Sequence, residues 1–122
     1  MAERACRVLL VEDEYLVAIL VEDMLGDLGH VLAASAGRLE EALALLETAA
    51  FDVALLDLAL GGAASYPVAH RLAARGIPFA FVTGRLSDDI DPAYAAAPVL
   101  QKPFGRRDLA AIIGKLLQSG EV

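Results

Sequence analysis

Four places in this sequence carry side chains that can act together on phosphorus. Glu12-Asp13, Asp57, Thr83 and Lys102 each stand where an apolar run of strand length ends. Three carboxylates brought to one point repel one another unless a cation sits between them. Mg²⁺ suits such a point, because it takes hard oxygen ligands and keeps waters that exchange for phosphate oxygens. A carboxylate can attack phosphorus to give an aspartyl phosphate. A metal, an ammonium and a hydroxyl around the transferring group would stabilise the charge spread over its oxygens.

The elements that must position these residues follow from the apolar pattern. Runs over 8–11, 31–34, 53–56, 79–82 and 99–101 read as strands. A helix is expected over about 14–28, stopped by Gly29, with Glu14 on its wetter side. Leu39, Ala42, Leu43 and Leu46 recur at helical spacing in a second. A third runs over about 66–75, with Ser65 as its N-cap and Gly76 as its stop. The last puts Leu109, Ile112, Ile113, Leu116 and Leu117 on one face. Segment 85–98, with Asp88, Asp89, Asp91, Pro92 and Pro98, has little periodicity, so any helix there is short. The strands are apolar on both faces, as in parallel sheets covered by helices on both sides. The alternation predicts an α/β fold, a doubly wound five-stranded parallel sheet forming one domain over 1–122. In such sheets ligands bind outside the carboxyl ends of the strands, where all four patches fall.

Composition narrows the function. The chain has 122 residues, 57% hydrophobic, with a net charge of −7. That excludes disorder and makes a nucleic-acid partner unexpected, since an acidic surface repels phosphate backbones. No apolar run approaches 18 residues, so no membrane insertion is expected. The single cysteine, Cys6, allows no internal disulfide and suits the cytoplasm. His30 and His70 have no partners at metal spacing, and Gly61-Gly62 is not followed by the Lys-Ser/Thr of a phosphate loop.

The runs Val-Glu-Asp-Glu at 11–14, Leu-Leu-Asp-Leu at 55–58, Phe-Val-Thr-Gly at 81–84 and Gln-Lys-Pro-Phe at 101–104 occur in order at strand ends. Together they resemble the response-regulator receiver family, over essentially the whole chain. The resemblance implies a flavodoxin-like (βα)5 receiver fold in a stand-alone two-component response regulator. It implies that Asp57 is the phosphoacceptor and that Glu12, Asp13, Asp57 and the backbone carbonyl of Ala59 hold Mg²⁺. Thr83 and Lys102 would bond the phosphoryl oxygens, and Lys102-Pro103 would be a cis peptide. A sensor histidine kinase or phosphotransferase would supply the phosphoryl group, and an unidentified downstream protein would read it. Beyond its own phosphorylation and dephosphorylation, no enzymatic activity is implied.

The departures from the family pattern are specific. Gly61 replaces a loop proline, which implies a more mobile loop. Val99 replaces the switch aromatic, and the stretch between Thr83 and Lys102 is short. Segment 85–98 is therefore expected to carry the conformational response. The run over 78–84 resembles an alphaproteobacterial subgroup marked by Phe-Ala-Thr-Gly, from which Val82, Arg85 and Leu86 depart. The alternative is a degenerate receiver that binds partners without phosphorylation.

Overall fold

The computed structural model describes residues 5–84 and 90–119. Five parallel strands form one sheet: β1 (Arg7–Val11), β2 (Val31–Ala36), β3 (Val53–Asp57), β6 (Phe79–Thr83) and β7 (Val99–Gln101). Their order is β2-β1-β3-β6-β7. A two-stranded hairpin, β4 (Ala59–Leu60) and β5 (Ala63–Ala64), follows β3. The helices are α1 (Tyr15–Asp27), α2 (Leu39–Thr48), α3 (Tyr66–Ala74) and α4 (Arg106–Ser119). None among the described residues is long and apolar enough to cross a membrane.

Strand residues alternate between two cores, which explains why the strands read as apolar on both faces. Val8, Leu10, Leu55 and Val82 pack with Val21 and Leu25 of α1 and Leu109 and Ile113 of α4. Leu9, Leu56 and Phe81 pack on the other side with Leu46 of α2 and Val68 and Leu72 of α3. Each such side chain contributes about 1.5–3 kcal/mol by leaving water. Parallel register aligns Val11 with Leu56 and Asp57 with Val82, so the polar strand ends share one edge.

The helix expected to be short between β6 and β7 is short, while the packing there and the cap at Ser65 differ from expectation. Between β6 and β7 the described residues hold no α-helix, only a 3₁₀ turn, Pro92–Tyr94. Pro92 sits in its first turn, where a missing N–H costs nothing, and the Asp91 carboxylate accepts from the Ala93 N–H at 2.9 Å. This part of the segment is also packed. Ile90 is buried, the Tyr94 ring stacks on Tyr66 at 5.3 Å, and it meets Phe81 edge-on at 5.8 Å. Residues 85–89, with Arg85, Leu86, Asp88 and Asp89, lie outside the described residues. The Gly61-Gly62 loop is a two-residue hairpin turn with φ of 55° and 93°, a positive pair that glycine adopts without strain. Ser65 stands at the N-cap of α3, yet its hydroxyl caps nothing and is buried without a hydrogen-bond partner. Its backbone carbonyl instead accepts from Val68 and Ala69. Gly29 and Gly76 end α1 and α3 with positive φ, as expected.

Phe81 is fully buried and touches three aromatic rings, Tyr66, Phe79 and Tyr94. Phe81→Ala is expected to lower the unfolding free energy by about 3–5 kcal/mol in chemical denaturation, because the cluster cannot collapse into the space left. A loss below about 1 kcal/mol would show that the rings carry no packing load.

Candidate functional site

The carboxyl edge of the sheet gathers Glu12, Asp13, Asp57, Ala59, Thr83 and Lys102. Asp57 ends β3 and is only 7% exposed. The Ala59 N–H donates to its Oδ1 at 3.3 Å. Glu12 follows β1, is 4% exposed, and is fixed by its N–H to the Ala36 carbonyl at 2.9 Å. Asp13, next in the chain, accepts from the Gly61 N–H at 3.1 Å, so the hairpin turn closes over it. Thr83 ends β6, buried, and its carbonyl accepts from the Lys102 N–H at 2.8 Å. That bond extends the β6–β7 ladder by one residue and sets where the lysine leaves the sheet. The Lys102–Pro103 peptide is cis. Asp13, Asp57, Ala59, Thr83 and Lys102 line one open cleft of about 630 Å³.

The lysine is the hub. Its Nζ lies 3.0 Å from Glu12 Oε1, 3.2 Å from Glu14 Oε1 and 3.3 Å from Asp57 Oδ2. Buried carboxylates need such a partner, since an unpaired charge out of water is very costly. Burial by itself disfavours the ammonium. The hydrogen bond to Glu12 and the charges of Asp57 and Glu12 more than offset it, and hold Lys102 above its ordinary pKa. Glu12 moves the same way: burial, then its hydrogen bond with Asp57, pushes it up to about 7.

Glu14 is the member that sequence reasoning missed, because helical periodicity put it on the wet side of α1. The signal available was its place directly after Glu12-Asp13, at the same strand end. One carboxylate oxygen each from Glu12, Asp13, Glu14 and Asp57 lie within 4.8 Å of one another. Four carboxyl groups facing one ammonium leave an excess of negative charge. A hard-oxygen donor set of this kind fits Mg²⁺. His30 belongs to the scaffold, its Nδ1 accepting from the Cys6 N–H at 3.0 Å.

Residues 8–114 match the family model described as the response regulator receiver domain. Among curated proteins, the chain is 33% identical to the positive alginate biosynthesis regulatory protein of Pseudomonas aeruginosa, over 94% of this chain and 48% of that protein. The chain thus spans about half the length of this relative. Among solved structures, it is 40% identical to SdrG from Sphingomonas melonis Fr1, with a TM-score of 0.79 over 97% of this chain and 98% of that one. The response regulator PhyR from Brucella abortus superposes with a TM-score of 0.82 at 29% identity, over 94% of this chain and 49% of PhyR.

The buried Glu12 predicts a pH dependence of stability in metal-free buffer. In the folded chain it holds its proton up to about pH 7, whereas its ordinary pKa is 4.5. Between those values the native state binds more proton than the unfolded state, so its contribution is complete below about pH 4.5 and is lost as pH rises through 7. In EDTA, denaturation of wild type and Glu12→Gln across pH 4.5–7.5 should show this loss in the wild type only. Parallel curves would contradict the placement of Glu12.

Proposed function

The chain belongs to the response-regulator receiver family, and from that premise we propose that it takes a phosphoryl group onto Asp57 from a histidine kinase or phosphotransferase, in a Mg²⁺-dependent reaction. One observation carries the reading: the buried Asp57 carboxylate presents an oxygen 3.3 Å from the Lys102 ammonium, inside a carboxylate cluster. An Asp57 oxygen attacks phosphorus; a P–O bond forms as the P–N bond of the donor phosphohistidine breaks. The leaving imidazole nitrogen keeps the bonding electrons and takes up a proton from solvent.

Glu12, Asp13, Asp57 and the Ala59 carbonyl would hold the Mg²⁺, Glu12 through water; the ion would supply positive charge that offsets the carboxylates and the transferring group. Lys102 turns from Glu14 to a phosphoryl oxygen, and the Thr83 hydroxyl donates to another. The Ala59 N–H keeps Asp57 oriented through Oδ1. Apart from this self-modification the chain is a regulator, not an enzyme, acting on a downstream protein or passing the phosphoryl group on.

Movement of Thr83 has a route outward that does not need an aromatic at Val99. Thr83 and Phe81 lie on the same face of β6. Phe81 meets Tyr66 and Tyr94 edge-on at 5.8 Å, and the Tyr66 hydroxyl accepts from the Asp91 N–H at 2.8 Å. A shift in β6 would therefore be felt at α3 and at the β6–β7 connection, where a partner can read it. The complete set of acids, hydroxyl and lysine argues against a degenerate receiver.

Incubation with acetyl phosphate and Mg²⁺, followed by intact mass measurement, tests the reading. The wild type should gain one phosphoryl group, Asp57→Asn none, and Lys102→Ala should react at least roughly tenfold more slowly. Omitting Mg²⁺ should abolish the gain. Phosphate appearing on Asp57→Asn at the wild-type site would refute the assignment.

A further inference from the structure

Glu14 occupies a position where its obvious local use is not made. It is the N-cap of α1, with extended backbone (φ −90°, ψ 109°), and a carboxylate there ordinarily accepts from the free N–H groups of the first turn. Its side chain makes no cap hydrogen bond. It reaches instead across the cleft mouth to Lys102 Nζ at 3.2 Å, a contact spanning 88 positions of sequence. Its own N–H donates to Glu12 Oε2 at 3.1 Å, which holds the turn so that both carboxylates meet the same ammonium. The two contacts differ in setting. The Glu12 side chain is 1% exposed, the Glu14 side chain 65%.

Building on the phosphoacceptor reading, we propose that Glu14 is a positioning residue that holds Lys102 at the mouth of the cleft and competes with the incoming phosphoryl group for its ammonium, slowing phosphorylation. Glu12 and Asp57 are the buried partners of the lysine. Glu14 is the solvent-side partner and lines the same open cleft as Asp57, through which a phosphoryl group would enter. For Lys102 to turn to a phosphoryl oxygen, the exposed ion pair is the one that gives way. Glu14 also adds a carboxylate to the mouth of a cleft that must admit a phosphate-bearing donor. Exposed ion pairs are worth up to about a factor of five in an equilibrium, which sets the size of the effect.

The full chain tests this with acetyl phosphate at saturating Mg²⁺ and with beryllofluoride as the phosphoryl mimic. Glu14→Gln should phosphorylate about two to five times faster than wild type and bind beryllofluoride more tightly by a similar factor. Added KCl should narrow the gap between the two proteins, since it screens the Glu14 charge; a merely structural role for Glu14 would show no such salt dependence. Glu14→Ala should behave like Glu14→Gln, with both melting close to wild type. Equal or slower phosphorylation in a normally folded Glu14→Gln would overturn the proposal. So would a large rise in the Mg²⁺ concentration for half-maximal rate, which would make Glu14 a metal ligand. A wild type that gains no phosphate at all would overturn the phosphoacceptor reading and this proposal with it. A wild type that gains phosphate with Glu14→Gln unchanged would overturn this proposal alone.

Discussion

A single ammonium group holds the carboxyl edge of the sheet together. Glu12 and Asp57 are both withdrawn from water, and Lys102 Nζ reaches an oxygen of each. Their burial is tolerable only while that cation, or another, faces them. Much of the topology serves this contact. Strand order places β3 between β1 and β6, with β7 beside β6, so Asp57 is central and its partners arrive from either side. The Lys102 N–H to Thr83 carbonyl bond then fixes the stem of the lysine on the threonine's own strand. Thr83, Lys102 and Asp57 are thereby parts of one hydrogen-bonded ladder.

Around that edge sits a layer that links the site to the surface. The β4–β5 turn donates from Gly61 to Asp13, and Ser65 at the start of α3 donates its N–H to the Leu58 carbonyl. Tyr66, the next residue, stacks on Tyr94 and touches Phe81. Chain segments that carry Asp13, Asp57 and Thr83 therefore each bear on α3 or on the turn beside it. A change of charge at Asp57 has short mechanical paths to a face that a partner could recognise.

The strand ends were the legible part of this site. Apolar runs bounded by Glu12-Asp13, Asp57, Thr83 and Lys102 mark the five strands within a residue or two, and ligands bind at the carboxyl ends of such strands, so the chemistry falls on one edge. Gly29 and Gly76 marked helix ends correctly because a positive φ leaves few other choices. What escaped depended on contacts across the chain. Glu14 has the periodicity of a solvated helix residue, and only its ion pair with a lysine 88 positions away reveals its role. Segment 90–98 looked thinly packed because alanine dominates it, whereas one side chain, Tyr94, anchors it through three rings. Ser65 had the right residue type for a cap, but its burial turned the hydroxyl away from that use.

A carboxylate cluster organised by Lys102 should take up a divalent cation and a phosphoryl group together. A crystal structure of the chain with Mg²⁺ and beryllofluoride tests it most directly. Beryllium is expected on an Asp57 oxygen, Mg²⁺ on Asp13 and Asp57, and Lys102 Nζ moved from Glu14 onto a fluorine. Mg²⁺ bound elsewhere, or Lys102 still bonded to Glu14 with no beryllofluoride on Asp57, would contradict it.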